Sequence, residues 1–160
     1  MFSKVITSRL NSLLPLLISP EKSSYVEGRK IIDEIILTHE IIHSLKHHKK
    51  VGMLLKIGLS KSFDKLSWMY IQKMLTAFGF TPAWVRWIMS LISSTFFSIL
   101  VNGIPSTPFQ PSRGICQGDP LSPFLFILMA EGLGRTIKHA LQERQLIGIS
   151  LHNSPAITHQ

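Results

Sequence analysis

The chain has 160 residues, 45% of them hydrophobic, which excludes a disordered protein and is enough to bury the core of one domain. Lys and Arg number 17 against 9 for Asp and Glu, so the net charge of +8 favours a polyanionic partner, either nucleic acid or an acidic membrane surface. A single cysteine excludes a disulfide framework and fits a reducing compartment.

Neither a membrane span nor a targeting segment is predicted. The longest apolar stretch, 124–130, is far shorter than the roughly 20 residues that a spanning helix needs. Basic residues precede an apolar run near the start of the chain, but Pro15 splits that run and no small-residue cleavage site follows. We therefore expect an intracellular protein, nuclear or cytoplasmic, that is not secreted.

Helices and one short strand are predicted in the first part of the chain. Isoleucines at helical spacing predict a helix over 27–48, and the apolar stretch 53–59 predicts a strand. Apolar residues at steps of three and four predict an amphipathic helix over 66–78, which Gly79 ends. The pair Thr81-Pro82 then caps and begins another helix.

The second part of the chain mixes strands with one long helix. The predicted elements are strands over 96–101 and 104–109 joined by an Asn102-Gly103 turn, a helix over 121–142, and a strand over 146–151 whose partner begins near 156. This mixed order predicts an α+β fold, with a small antiparallel sheet packed on helices rather than a helical bundle.

The most informative segment is a glycine-rich loop, which we call the cradle loop, from Ser112 to Pro123. It reads Ser-Arg-Gly-Ile-Cys-Gln-Gly-Asp-Pro-Leu-Ser-Pro, and its glycines permit close backbone approach to a ligand. It resembles the signature loop of the reverse transcriptases of non-LTR (LINE-type) retrotransposons, such as those of plants. The usual text there is Arg-Gly-x-Arg-Gln-Gly-Asp-Pro-Leu-Ser-Pro, from which Cys116 is the clear departure.

The resemblance extends over essentially the whole chain, from Val5 to Gln160, and implies part of a right-hand polymerase. About 1–50 would be a fingers-side segment, and about 51–160 would be palm, ending before the hairpin that carries the family's Asp-Asp pair. The chain is thus expected to be a truncated fragment. The implied activity is RNA-directed DNA polymerisation, with an RNA template, a DNA primer, dNTPs and Mg²⁺.

The metal-binding carboxylates of that family are missing from this sequence. Family text of the form Lys-Ile-Asp-Leu-Ser-Lys-Ala-Phe-Asp corresponds here to Lys-Ile-Gly-Leu-Ser-Lys-Ser-Phe-Asp, so Gly58 occupies the position of the metal-binding Asp. Asp33, Asp64 and Asp119 are the only aspartates, and no Asp-Asp pair occurs. Because Mg²⁺ requires anionic oxygen ligands, we expect no intact catalytic residue and no productive metal site. Asp64 is a weak candidate for a replacement ligand.

Other parts of the nucleotide site match the family. The resemblance implies that Phe63 lies under the incoming sugar and that Gln117 and Gly118 line the nucleotide and template. The alternative for Phe63 is ordinary core packing. Asp119 is expected to be a turn or capping residue.

Basic side chains could contact phosphates. Arg29 resembles a fingers residue near the triphosphate or template, and Arg113 lies at the mouth of the cradle loop, although a solvated surface arginine is an equal alternative. Weaker candidates for sequence-independent contacts include Lys56 and Lys61. A non-enzymatic module that binds nucleic acid is therefore the second hypothesis.

A zinc hydrolase is the third hypothesis. His39, Glu40 and His43 spell H-E-x-x-H on a predicted helix, the form of a metalloprotease site. Lys46 and Lys49 stand where the metzincin extension requires Gly and a third His. This hypothesis needs a third ligand that the sequence does not identify.

Overall fold

The computed structural model describes residues 2–149, which form seven helices and one two-stranded antiparallel sheet. In chain order the elements are α1 (Phe2–Asn11), α2 (Leu14–Leu17), α3 (Ile31–His47), α4 (Ser62–Lys65), α5 (Trp68–Ala77), α6 (Pro82–Ser93), β1 (Leu100–Val101), β2 (Ile104–Pro105) and α7 (Ser122–Gln142). The predicted α+β class with a small antiparallel sheet is confirmed.

The described residues divide into two compact units. The first unit contains residues 2–9 and 59–129, and the second contains residues 10–58 and 130–149. In the first unit α5 packs against α6, and its fully buried side chains are Ile71, Leu75, Ile88, Leu125 and Leu128. The core of the second unit is smaller, and its buried apolar side chains are Leu10, Leu14, Ile18, Val26 and Ile41.

Three predicted helices are found close to their expected bounds: α5, α6 and α7. The start of α6 follows the predicted capping chemistry, since the Thr81 hydroxyl accepts a hydrogen bond from the Trp84 N–H at 3.4 Å. Pro82 occupies the first helical turn, where its missing N–H costs nothing.

The predicted hairpin is present but shorter than expected. Leu100 pairs with Pro105 and Val101 with Ile104, and a further bridge joins Phe97 to Phe109. The turn residues have φ values of +52° and +82°, the left-handed conformations that an Asn-Gly turn adopts. Between these pairs the register shifts by one residue, and the Ile99 N–H donates to the Ser106 hydroxyl at 3.0 Å rather than to a strand carbonyl, so the ladder does not run continuously over 96–109.

The prediction of a strand over 53–59 is wrong. Residues 51–59 belong to neither helix nor strand, and every one of them is exposed. An apolar run becomes a strand only when a neighbouring chain segment completes its backbone hydrogen bonds, and no other described residue pairs with this segment.

Helix α3 is shorter than predicted, and its isoleucine stripe is not core. It begins at Ile31, because Gly28 has φ of +80° and Lys30 is extended. Ile31, Ile32, Ile35 and Ile36 are each at least half exposed, whereas Ile41 is buried. The isoleucine spacing therefore predicts the helix correctly, but no element among residues 2–149 covers this face.

The last predicted strand lies partly outside the described residues. Among residues 146–149 only Ile149 occupies a bridge position, and residues 150–160, including the expected partner strand, lie outside the described part. Over residues 2–149, no helix combines the length and apolar character needed to cross a membrane.

Candidate functional site

The cradle loop is fastened to the turn formed by α4 and the start of α5. The Gly114 N–H donates to the Leu66 carbonyl at 2.8 Å, and the Ile115 N–H donates to the Phe63 carbonyl at 3.0 Å. The Trp68 indole Nε1–H donates to the Gly114 carbonyl at 2.7 Å. These three bonds, which we call the clamp, hold two segments together that lie about fifty residues apart in the chain.

Gly114 is required at the clamp for two reasons. Its φ of +88° is in the left-handed region that favours glycine, and a Cβ atom there would lie 2.8 Å from the backbone oxygen of Asp64. Gly118 has a similar φ of +93°, but a Cβ atom there would meet nothing within 4 Å. The first glycine thus permits a close contact, whereas the second only permits a turn.

The other end of the cradle loop is fixed by Asp119. Its Oδ1 accepts a hydrogen bond from the Leu121 N–H at 2.7 Å and another from the Ser3 hydroxyl of α1 at 2.6 Å. The Asp119 carbonyl also accepts from the N–H of buried Ser122 at 3.1 Å. Asp119 therefore acts as the turn residue before α7, as expected.

The clamp brings three of the predicted site residues together. Phe63 is half-buried and stacks on Phe126, with ring centroids 5.0 Å apart and an interplanar angle of 17°. Asp64 and Gln117 are exposed, and the Gln117 Nε2 lies 3.5 Å from the Asp64 Oδ1, at the limit of a hydrogen bond. The Phe63 ring thus packs against another aromatic side chain, as ordinary core packing predicts, but the residue is only partly buried.

Gly58 lies in the exposed segment 51–59. A Cβ atom at this position would meet nothing within 4 Å, and its φ is outside the left-handed region. No steric reason therefore requires a glycine here, and a carboxylate side chain would fit.

The described residues do not fit a divalent metal centre. They contain no group of three or more His, Cys, Asp or Glu that could hold a metal ion. Asp64 is exposed, and the polar group nearest to its carboxylate in the cluster is the Gln117 amide, which is neutral. His39, Glu40 and His43 lie on α3 as predicted and are exposed, and the described part of the chain offers them no third ligand.

The side chain of Arg29 makes contacts with the backbone that the sequence did not predict. Its guanidinium donates to the carbonyls of Ser19 and Lys22, each at 2.6 Å, and to that of Ile18 at 2.9 Å. The side chain thus ties the segment after α2 to the start of α3, and a phosphate would have to compete with these bonds. Arg113, Lys56 and Lys61 are exposed.

Glu131 is a buried acid whose role the sequence reading missed. It is 2% exposed, and its carboxylate accepts hydrogen bonds from the Ser19 hydroxyl at 2.8 Å and the Ser19 N–H at 3.3 Å. Lys22 Nζ lies 3.2 Å away as an ion pair, although its alignment is not that of a hydrogen bond. Burial alone would raise the pKa of Glu131, but Ser19 and Lys22 together hold that pKa below its ordinary value.

The sequence indicates the structural roles of Glu131 and Trp68 only weakly. In the sequence Glu131 is only the acid that ends the apolar run 124–130, and because Glu is rarely buried, its burial beside Ser19 and Lys22 follows from the fold rather than from this run. The apolar spacing predicts Trp68 on the apolar face of a helix, and its indole carries an N–H that needs an acceptor when it is buried.

Comparison with known proteins supports the family that the cradle loop predicts. Residues 1–152 match the family described as reverse transcriptase (RNA-dependent DNA polymerase). The Transposon TX1 uncharacterized 149 kDa protein of Xenopus laevis is 30% identical over 81% of this chain and 10% of its own length. The Retrovirus-related Pol polyprotein from type-2 retrotransposable element R2DM of Drosophila melanogaster is 29% identical over 95% of this chain and 14% of its own.

A third relative is the uncharacterized mitochondrial protein AtMg01250 of Arabidopsis thaliana, 45% identical over 40% of this chain and 53% of its own length. The chain therefore spans from about a tenth to about half of the length of these relatives. The matched family and the retrotransposon proteins among the relatives agree with the family predicted from the loop. We conclude that this chain belongs to the reverse transcriptase family and is similar to the Pol proteins of non-LTR retrotransposons.

Proposed function

We propose that this chain is a segment of a non-LTR reverse transcriptase that does not polymerise DNA by itself. Reverse transcriptases use divalent metal ions and bind an RNA template and a DNA primer. The observation that supports the proposal is Gly58, which stands where the family text has a metal-binding Asp and offers no ligand atom from a side chain. Two-metal catalysis depends on carboxylates that neutralise and hold both ions.

Primer extension tests this proposal. The purified chain is mixed with an RNA template, a DNA primer, dNTPs and Mg²⁺, and we expect no extension above that of the buffer alone. An active reverse transcriptase in a parallel reaction shows that the substrates are competent. Mg²⁺-dependent extension by this chain would overturn the proposal.

We further propose that the chain retains the ability to bind nucleic acid without sequence preference. The supporting observation is a stretch without acidic residues between Glu40 and Asp64. It contains five lysines, all exposed: Lys46, Lys49, Lys50, Lys56 and Lys61. Exposed lysines in such a stretch can contact backbone phosphates.

Salt dependence tests the binding proposal. Fluorescence anisotropy with a labelled RNA–DNA hybrid should show affinity that falls steeply with salt, with a log–log slope of about −0.9 for each phosphate contacted. The double variant Lys50→Gln/Lys56→Gln should flatten the slope by about 2, whereas Lys4→Gln/Lys30→Gln, which removes the same charge elsewhere on the surface, should change it less. Binding that is absent or independent of salt would contradict this proposal.

Two other parts of the account remain proposals. The division into a fingers-side segment over about 1–50 and a palm segment beyond it rests on the family text alone. A nuclear or cytoplasmic location is supported by the single cysteine, which fits a reducing compartment.

A further inference from the structure

We propose that Trp68 is a positioning residue, whose indole N–H holds the cradle loop so that Gln117 and Gly118 are presented to nucleic acid beside Phe63. The proposal rests on the proposed nucleic-acid function for its ligand. The clamp itself is shown by three hydrogen bonds within the first unit and does not depend on that function.

The cradle loop is anchored at two places and exposed at Gln117 and Gly118 between them. Ile115 is buried and Gly114 is partly buried, and both belong to the clamp. Asp119 is held by Ser3 and Leu121. Between these anchors Gln117 and Gly118 are exposed, so a short segment is presented from two fixed ends.

Trp68 is well suited to fix one of these ends. It is the first residue of α5, and Ile71 and Leu75 of that helix are fully buried, so the indole projects from an element anchored in the core. At 2.7 Å the bond to the Gly114 carbonyl is short for an N–H donor. A tryptophan ring has few rotatable bonds, so its N–H can be held in place with little loss of entropy.

Among residues 2–149, the Trp68 indole N–H is the donor to the Gly114 carbonyl. The Gly114 N–H is bonded to Leu66, and the left-handed φ of Gly114 turns the chain sharply at this residue. Without the indole, the carbonyl would lose its partner and the turn would be held by backbone bonds alone. A partly buried carbonyl without a partner is costly, so the loop should open more often.

The chain contains its own reporter of loop position. Cys116 is the only cysteine, it follows the clamped Ile115, and it is half-buried with its Sγ 3.5 Å from the Thr95 hydroxyl. Its rate of alkylation by iodoacetamide should therefore rise when the clamp opens. The rate should fall when nucleic acid covers Gln117 and Gly118.

The test compares Trp68→Phe with Trp87→Phe. Trp87 is 47% exposed and lies outside the clamp, so its variant controls for the loss of an indole. We expect Trp68→Phe to raise the alkylation rate of Cys116 on the order of tenfold, with an unchanged circular dichroism spectrum. Trp87→Phe should leave the rate at that of the unmodified chain, and equal rates in all three proteins would overturn the proposal.

Addition of an RNA–DNA template–primer hybrid tests the positioning role. We expect the hybrid to protect Cys116 in the unmodified chain and in Trp87→Phe but not in Trp68→Phe, whereas the salt-dependent anisotropy signal stays in all three. Protection of Trp68→Phe equal to that of the unmodified chain would contradict the proposal. Binding without any protection of the unmodified chain would also contradict it and leave the nucleic-acid function intact.

The role of Trp68 can still be tested if the hybrid does not bind or if Trp68→Phe does not fold. If no protein binds the hybrid, the nucleic-acid function fails, while the alkylation rates without hybrid still decide whether Trp68 holds the loop. If Trp68→Phe does not fold, hydrogen exchange on the unmodified chain replaces it. The Gly114 and Ile115 amides should then exchange as slowly as those of α5, and exchange at the rate of exposed loop amides would overturn the clamp.

Discussion

The Cβ position of Gly114 lies 2.8 Å from the backbone oxygen of Asp64, so the cradle loop and the turn before α5 approach more closely than any side chain at residue 114 would allow. This contact explains one glycine of the family text in physical terms. It also joins the segment that follows Gly58 to the loop that identified the family.

The first prediction concerns this contact. Gly114→Ala should lower the free energy of unfolding by about 3 kcal/mol, because it adds a steric clash to an unfavourable φ. Gly118→Ala is the matched control, since it has nearly the same φ but open space around it, and it should cost about 1 kcal/mol. Urea denaturation measures both, and equal losses would show that the Asp64 contact is unimportant.

The second prediction concerns Glu131. Glu131→Gln removes the charge that pairs with Lys22 in a buried setting, and it should lower the free energy of unfolding by about 2 to 4 kcal/mol near neutral pH. Glu143→Gln, at an exposed position near the end of the described region, should change it by less than about 0.5 kcal/mol. Equal effects in urea denaturation would rule out the buried network as a source of stability.

The third prediction gives the pH dependence of that network. The pKa of Glu131 in the folded chain is lower than its ordinary value of 4.5, so its contribution to stability is present above that pH and is lost as the pH falls through the folded pKa. The unmodified chain should therefore lose stability below about pH 4.5 more steeply than Glu131→Gln does. Parallel pH profiles of the two proteins would contradict this assignment.

The fourth prediction concerns the exposed apolar segment 51–59. Leu55 and Ile57 are 75% and 61% exposed in a segment without backbone pairing among the described residues, which favours association between chains. Leu55→Lys/Ile57→Lys should remain monomeric at concentrations where the unmodified chain associates. Gln142→Lys/Gln145→Lys adds the same charge at other exposed positions and should still associate. Sedimentation velocity measures all three, and a monomeric unmodified chain would contradict the prediction.

The fifth prediction concerns Gly58. Because a side chain there meets nothing within 4 Å, Gly58→Asp should change the free energy of unfolding by less than about 0.5 kcal/mol. Thermal denaturation measures this change. A loss of more than about 1 kcal/mol would mean that the glycine is required by the fold.

Local patterns in the sequence predicted the elements that depend on local contacts. Helices α5 and α6 followed from apolar spacing and from the Thr81 cap, and the hairpin turn followed from Asn102-Gly103. The cradle loop identified the family because its text is long and unusual.

The features that depend on distant partners were not predictable in the same way. The prediction of a strand over 53–59 was wrong because apolar side chains do not by themselves provide a neighbouring strand for backbone pairing. The roles of Arg29 and Trp68 depend on carbonyl groups that only the folded chain brings near. The resemblance to the family's fingers text predicts a phosphate contact for Arg29, which stays a prediction, and the contacts of its guanidinium with backbone carbonyls could not be read from that text.

Mg²⁺-dependent incorporation of labelled dNTP, measured on the purified 160-residue chain with an RNA template and a DNA primer, tests the central claim most directly. Prior anisotropy on the same hybrid establishes whether the substrate is bound. The account predicts no incorporation, even when the hybrid is bound, because Gly58 supplies no metal ligand from a side chain. Incorporation that requires Mg²⁺ and is lost when EDTA is added would contradict it.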